Sequence, residues 1–419
     1  MRDTTQRTPR TTLFYGYVVV VAAFLVMAVS SGSIYSFSVF FAPLQQEFGW
    51  SRAVTSGAFS CYTIMQGLLS MGTGRLNDRF GPRLILTICS IVFGAGFILM
   101  SRTEAVWQLY VLYGLFIAGG FSGAPVPLMS TVARWFRSRR GMMTGVVMAG
   151  TGVGTMLMPP FANHLIETLA WRSSFVVVGV IVICVVLLAA QFLKRDPSSV
   201  GLEPLGGAAI ESTPEAPASG LPFSTARRTR QFWLLILAFI GFGFALQSVM
   251  VHVVIHAVGL GVTSGSAAAV MTAIGGMGVV GRIGAGALGD RYGAKRLLLL
   301  QFTLLSLSLF WLASAKSTSG MLAFGLAFGY AYGGIVPLYS NMVADLFGLR
   351  AHGAILGTVT FCVGIGSAVG PVFTGYCFDV MGNYVIAFAT CGAVAAVSVL
   401  LTSFILPLRH AADSVNVKG

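Results

Sequence analysis

What this chain has least of is charge. Asp, Glu, Lys and Arg make up 9% of its 419 residues, against about 25% in a soluble globular protein. A water-facing surface cannot be covered with so little, which excludes a soluble domain. Lysine is scarcer still, with four in all, and no G-x-x-x-x-G-K-[ST] loop occurs; nor does a G-x-G-x-x-G stand in a strand-turn-helix context. ATP hydrolysis on a phosphate loop is therefore excluded. The six cysteines (Cys61, Cys89, Cys184, Cys362, Cys377, Cys391) lie in or at the ends of apolar segments, without the paired spacing of a metal site or a disulfide framework. They receive no redox role. No nucleophile and base pair, and no metal-ligand cluster, falls inside an apolar segment, so an enzyme is not expected, nor is a cofactor. Ten-residue alternation of an outer-membrane barrel is also missing.

What is there instead is length of apolar sequence. Hydrophobic residues make up 56% of the chain and the mean hydropathy is +0.83. A helix needs about 20 apolar residues to cross the hydrocarbon of a bilayer. Twelve such segments run near 15–42, 52–73, 84–101, 105–132, 141–165, 173–193, 232–257, 263–288, 297–315, 320–346, 352–377 and 383–407. Backbone polar groups in lipid must be satisfied within the segment, so each span is expected to be a helix. The first is too long for a signal core and ends in no small-residue cleavage site, which makes it a retained span.

The net charge of +13 would suggest nucleic acid in a soluble protein, but its distribution points elsewhere. With the amino terminus inside, 21 of the 26 Lys and Arg fall on that side, and Arg52, Arg102, Arg172 and Lys316 fall opposite. By the positive-inside rule both termini are expected in the cytoplasm, in an inner or plasma membrane, with the lipid bilayer and not nucleic acid as partner. The remaining cation is Arg282, inside the eighth span.

The chain repeats itself. GRLNDRFGPRLIL from Gly74 and GALGDRYGAKRLLL from Gly286 lie 212 residues apart. At the same offset, GMMTGVVMAGTGVGTMLMPPF from Gly141 matches GAILGTVTFCVGIGSAVGPVF from Gly353 at Gly141/Gly353, Gly145/Gly357, Gly152/Gly364, Gly154/Gly366, Pro159/Pro371 and Phe161/Phe373. Two blocks in one register argue for duplication. Residues 196–229, rich in Pro, Gly, Ser and Glu, read as a flexible cytoplasmic linker between an N-terminal six-helix bundle (1–195) and a C-terminal one (230–419).

Two parallel six-helix repeats with a binding site between them near the midplane form the architecture of major facilitator transporters, and the chain resembles that superfamily from about Tyr15 to Leu408. Its loop signature stands here as GRLNDRFGPR, and degenerately as GALGDRYGAKR. SGSIYSFSVFFAPLQQEFGWSRA (31–53), ARWFRSRRG (133–141), MAGTGVGTMLMPP (148–160) and the eighth-span arginine resemble the branch of oxalate/formate antiporters and monocarboxylate transporters. The resemblance implies an all-α major facilitator fold and alternating access between two faces, for which a monomer suffices.

Asp78 and Asp290 end the second and eighth spans, each followed by an arginine, Arg79 and Arg291. A carboxylate there can face the positive end of a helix in the other repeat, and the resemblance implies a latch that shuts the cytoplasmic side; the alternative is a charged turn that sets topology. Arg134, Arg137, Arg139 and Arg140 can serve both ends. The glycine ladders of the fifth and eleventh spans read as close helix packing.

Arg282 lies eight residues before Asp290, roughly 12 Å inside the boundary at about 1.5 Å per residue. A lone charge there costs at least about 2.5–3.5 kcal/mol. Snorkelling to the surface and pairing with a resident acid are the alternatives to a ligand role, but none of the thirteen acids falls at its depth. The missing anion is then the cargo, since a guanidinium presents a planar fork to a carboxylate. The eleventh span holds no Lys, Arg or His, whereas the resembled oxalate antiporters carry a second cation there; this points to a small monocarboxylate such as lactate, pyruvate or formate.

Tyr35, whose motif position matches a binding tyrosine of the resembled branch, and Tyr332, 13 residues before Asp345, are further substrate-binding candidates, with packing as the alternative. His252 and His256 share a face of the seventh span; His252 is a candidate for binding or, with Arg282, for proton coupling, and His256 for an interfacial residue. Animal monocarboxylate transporters use a first-span lysine and an acid one turn before the arginine. Here SGSIYSFSVFF has no lysine and the residue one turn before Arg282 is Gly278. Proton-coupled symport is the expected coupling, and exchange of organic anions, as in the oxalate/formate antiporters, is the alternative.

Overall fold

The computed structural model describes residues 14–50, 52–206 and 220–406. Among these, ten helices are long and apolar enough to cross a membrane. One of the ten, Arg140–Phe192, is two spans joined at a kink. Arg52–Phe80, equally long but interrupted by Gln66, Asn77 and Asp78, supplies the twelfth. The protein is therefore all-helical and multi-pass. The only strand-like pairings among the described residues are isolated bridges at Phe136–Leu205 and Gly220–Gly348.

The duplication is visible to the residue. The second span is Arg52–Phe80 and the eighth Ser264–Tyr292. The third, Pro82–Met100, begins 212 residues before the ninth, Ala294–Ser314. The fourth ends at Trp135 and the tenth, Thr318–Phe347, at the corresponding position. The fifth begins at Arg140 and the eleventh, His352–Met381, at its counterpart. Gly81 and Gly293, in register, turn the second span into the third and the eighth into the ninth with φ of 83° and 92°. Only glycine takes such angles without steric cost.

Packing follows the repeat as well. In the first repeat the first span lies on the fifth, the second on the fourth and the third on the sixth; in the second repeat the seventh lies on the eleventh, the eighth on the tenth and the ninth on the twelfth, Val385–Ser403. The two most extensive contacts between repeats are the second span on the eleventh and the fifth on the eighth. Small residues carry these crossings, as expected where lipid offers no hydrophobic drive to associate.

Three departures from regular helix matter for the site. The first span stops at Tyr35, and the chain restarts as Phe37–Phe48, because the Ser36 hydroxyl turns back to the Gly32 carbonyl at 2.8 Å. The fourth span begins as Val106–Val111, widens into a π turn at Leu112–Ile117 that holds buried Tyr113, and restarts at Pro125. At the far end of the first repeat, Glu47 accepts from Arg172 at 2.7 Å and from Trp171 at 2.5 Å. The Arg172 hydrogen bond, then that of Trp171, holds the Glu47 carboxyl below its usual range. What this clamp contributes is present above the ordinary carboxylate range and is lost as pH falls through the lowered value.

The linker departs from expectation. Pro197–Val200 forms a 3-10 turn, and Leu205 bonds both ways with the end of the fourth span, at Trp135, Arg137 and Ser138. Leu221 donates to Phe347 at the end of the tenth. Both ends of the expected flexible segment are thus tied down at matching places, because helix ends leave carbonyls unpaired and a neighbouring strand-like segment can use them. Its middle, 207–219, lies outside the described residues.

Ala170 at the kink has φ 65° and ψ 160°, a region all but reserved for glycine and costing about 1–3 kcal/mol. Its register mate is Gly382, which turns the eleventh span into the twelfth with φ 69°. Ala170→Gly is expected to raise stability by about 1 kcal/mol after the entropy cost of glycine, read as a higher unfolding midpoint in detergent. A lower midpoint would mean that the turn is not held this way.

Candidate functional site

The site is built where the two repeats touch. At the end of the bundle that carries Asp78 and Asp290, each aspartate sits on the first turn of a helix in the other repeat. Gly353 N and Ala354 N, opening the eleventh span, donate to Asp78 at 3.1 and 2.9 Å. Gly141 N and Met142 N, opening the fifth, donate to Asp290 at 2.6 and 2.9 Å. Each carboxylate thus satisfies two orphan amides and meets the positive end of a helix dipole. Backbone follows backbone here: a methyl at Gly74 would collide with the Gly353 carbonyl, and one at Gly286 with the Gly141 carbonyl.

Arg79 and Arg291 are not brought to these carboxylates. Arg79 lies over the Phe80 ring at 5.1 Å and Arg291 over Tyr292 at 5.3 Å. The cation that supports Asp78 is Arg134, which is buried and reaches Asp78 at 3.3 Å, Asp196 at 3.4 Å and the Leu349 carbonyl of the other repeat at 2.9 Å. Arg140 pairs with Asp345 at 3.6 Å, again across the repeats. Arg134 was visible as one cation among four in ARWFRSRRG; nothing in the spacing distinguished it.

One turn deeper the contact continues. Gly145 of the fifth span lies against the Arg282 carbonyl, and in register Gly357 of the eleventh lies against the Ser70 carbonyl. The contact runs on to Gly152 against Val279 and Gly67 against Phe361, and beyond that level the helices part. Met156, on the same face of the fifth span as Gly145 and Gly152, is 74% exposed, and nothing stands within 4 Å of a methyl built at Gly275 or Gly276 of the eighth. A cavity of about 440 Å³ opens over Ala368, Val369, Val372, Phe373 and Tyr376 of the eleventh. The two repeats meet at the Asp78 end and separate toward the other.

Arg282 stands at the level where they part. It is buried, its Nη2 donates to the Tyr332 hydroxyl at 3.4 Å, and its guanidinium lies 5.3 Å from that ring. Among the described residues it makes no ion pair. Tyr332 can reach it because Gly278 leaves room: a methyl at Gly278 would stand 2.7 Å from the Tyr332 hydroxyl. Tyr35 is 49% exposed, yet Arg282, Tyr332 and Tyr62 all lie within electrostatic range of its phenol. Its phenol is thus exposed among groups from three other spans. Arg282, Tyr332 and Tyr35 are thus brought together. Tyr62, beside Tyr113 with ring centroids 5.9 Å apart, joins them as a wall residue that no motif marked.

His252 is placed elsewhere. Its Nδ1 lies 3.3 Å from the Tyr384 hydroxyl and its Nε2 3.0 Å from the Pro371 carbonyl. The carbonyl requires a donor, so Nε2 carries the proton and both ring nitrogens are engaged within the second repeat. His256 meets the rings of Tyr384 and Phe388 edge-on. Tyr339 is buried against Phe239 at 5.2 Å, and Asn341 stands beside Asp290.

Comparison with known proteins agrees with this geometry. The model of the Major Facilitator Superfamily matches residues 23–289 and 260–419. Monocarboxylate transporter 13 of Bos taurus is 28% identical over 398 residues, covering 93% of this chain and 89% of that one. Monocarboxylate transporter 11 of Homo sapiens is 27% identical, covering 91% and 80%. Among solved structures, the Escherichia coli fucose:proton symporter superposes with a TM-score of 0.73 at 16% identity, covering 94% of this chain and 100% of that one.

The glycine contacts carry a prediction. A methyl at Gly145 or Gly357 is forced into backbone of the opposite repeat, at a cost of about 1–3 kcal/mol. Gly145→Ala and Gly357→Ala are expected to separate the repeats at the Asp78 end, speeding amide exchange at 141–142 and 353–354 roughly fivefold or more. Gly72→Ala, with nothing within 4 Å, should leave it unchanged. Equal protection in all three variants would mean that the repeats are not held by these contacts.

Proposed function

The chain belongs to the Major Facilitator Superfamily and is a multi-pass membrane transporter rather than an enzyme, and from that premise we propose that its cargo is a small monocarboxylate of the lactate, pyruvate or formate class. The observation that carries this reading is Arg282: a buried cation at the level where the repeats part, without an ion pair among the described residues. An incoming carboxylate completes it. The fork of the guanidinium takes two oxygens, and the hydroxyls of Tyr332 and Tyr35 supply further donors. A single cation balances a single charge, and the eleventh span opposite brings none. Relatives named as monocarboxylate transporters favour the same cargo.

Movement follows from the two ends. With Asp78 and Asp290 on their helix starts, the site is reached only from the opposite side. Rocking of the repeats releases those caps and exposes the site to the Asp78 end, which the charge distribution assigns to the cytoplasm. Arg79 and Arg291 add positive charge at that face but not the latch itself, which falls to the aspartates with Arg134 and Arg140.

For coupling, two readings are kept. Proton symport would move the proton with the cargo or on His252. The engagement of both His252 nitrogens and the lack of an acid at the depth of Arg282 favour the second reading, exchange of one organic anion for another.

Arg282→Lys keeps the charge but loses the fork, and is expected to weaken binding about tenfold to a hundredfold, read as loss of the thermal shift that lactate, pyruvate or formate gives the purified wild type. Oxalate should give a smaller shift than the monocarboxylates; a dicarboxylate preference, or an unimpaired Arg282→Lys variant, would sink the assignment. In proteoliposomes, uptake that rises with an inward proton gradient and loses that rise in His252→Ala supports symport through His252. Uptake blind to the gradient and dependent on internal anion establishes exchange.

A further inference from the structure

The duplication leaves one position unbalanced at the Asp78 end. Arg140, opening the fifth span, has its charge met by Asp345 across the repeats at 3.6 Å. Its register mate, opening the eleventh span, is His352, and the register mate of Asp345 is Ala133. The second repeat therefore holds a titratable ring where the first holds a permanent cation, and a methyl where the first holds the partner acid. His352 is fully buried. Its Nε2 lies 3.0 Å from the Ser340 carbonyl, which only an N–H can satisfy, so in a neutral ring Nδ1 is a lone pair, and it is buried without a partner.

The charged groups around the ring come from every helix packed there. Arg134 from the fourth span and Arg140 from the fifth act on it directly. Asp78 from the second is committed to the amides of Gly353 and Ala354, Asp345 from the tenth to Arg140, and Asp290 from the eighth to Gly141 and Met142. A proton added at Nδ1 would stand beside two cations with no acid free to receive it. Arg134 and Arg140 belong to the first repeat and His352 to the second. Separation of the repeats at this end takes both cations away and lets water reach the ring.

We infer that His352 is a proton sensor for the gate, protonated at Nδ1 when the repeats separate at the Asp78 end and neutral when they meet. The proton comes from water on that side, Nε2–H stays on Ser340, and no other bond changes. By linkage, acid on that side stabilises the separated state. With the Asp78 end in the cytoplasm, a fall in internal pH would turn the carrier toward its own cell interior, ready to load there. The device does not depend on what is carried.

Amide exchange on the full-length wild type reads it without a substrate. The amides of Gly141, Met142, Gly353 and Ala354 are bonded to aspartate only while the repeats meet. After correction for intrinsic chemistry, exchange at 139–145 and 351–357 should speed up roughly threefold to tenfold between about pH 8 and about pH 5.5, the window of an ordinary imidazole. His352→Gln and His352→Asn, which offer an amide donor but no titration, should abolish that dependence; His352→Arg should leave 139–145 fast at every pH. Segment 139–145 belongs to the other repeat, so a change there is gate opening and not local unfolding around the substitution. A wild type without pH dependence, or neutral variants that keep it, would overturn the inference and assign any response to the aspartates.

Discussion

A guanidinium buried in a helical bundle has to be neutralised by something, and among the described residues of this protein no acid pairs with Arg282. The repeats match closely enough that the glycine and aspartate contacts between them come as twins: Gly74 on Gly353 and Gly286 on Gly141, Asp78 on the eleventh span and Asp290 on the fifth. At the next level the twins differ. Gly145 lies on Arg282, while Gly357 lies on Ser70, whose hydroxyl is occupied by its own helix at the Gln66 carbonyl. A symmetric frame thus carries one asymmetric charge, on one wall of the crevice. On the function proposed above, that asymmetry lets a site with a two-fold scaffold bind a ligand with a head and a tail.

The frame also explains why the charge is tolerable. Gly278, Gly281 and Gly333 bring the eighth and tenth spans close enough that Tyr332 covers the guanidinium, with one hydrogen bond and its ring face. An acid at 278, as the resembled animal transporters have it, would need the space that Tyr332 fills. The two arrangements answer the same desolvation problem with different chemistry, a resident anion in one case and an aromatic cover in the other. Only the second leaves the arginine without an ion pair among the described residues.

Much of this was legible in the sequence, and the reasons are specific. The offset of 212 could be read from two glycine-rich blocks because glycines at helix crossings cannot drift without collision, and the same offset aligns the starts of the second to fifth spans with those of the eighth to eleventh. Arg282 stood out because charge inside an apolar run is rare, and depth can be counted in residues from Asp290. The phase of each helix could not be counted in the same way. Whether Tyr62 turns to the crevice, or Arg134 rather than Arg79 reaches Asp78, depends on a rotation of about 100° per residue, set by neighbours far away in the chain. His252 shows the same gap: its depth invited a role beside Arg282, and its direction gives it to Tyr384 and Pro371. The anchoring of the linker's two ends was not legible in composition, since Leu205 and Leu221 use carbonyls at helix ends that no local pattern announces.

The two ends of the molecule then divide the work between kinds of force. At the Asp78 end, closure rests on amide-to-carboxylate bonds and on glycine backbones in contact, which are short-ranged and lost together once the helices part by an ångström or so. Toward the other end the exposed side chains, among them Met156 of the fifth span and Val369 and Val372 of the eleventh, are apolar and undirected. Apolar faces cannot specify a register, but they close over many geometries at nearly equal free energy. A carrier built this way has one end that shuts in a single defined position and another that adapts its closure to whatever occupies the site. Recognition by shape therefore belongs to the adaptable end and the all-or-none step to the polar one, with Arg282 between them answering to both.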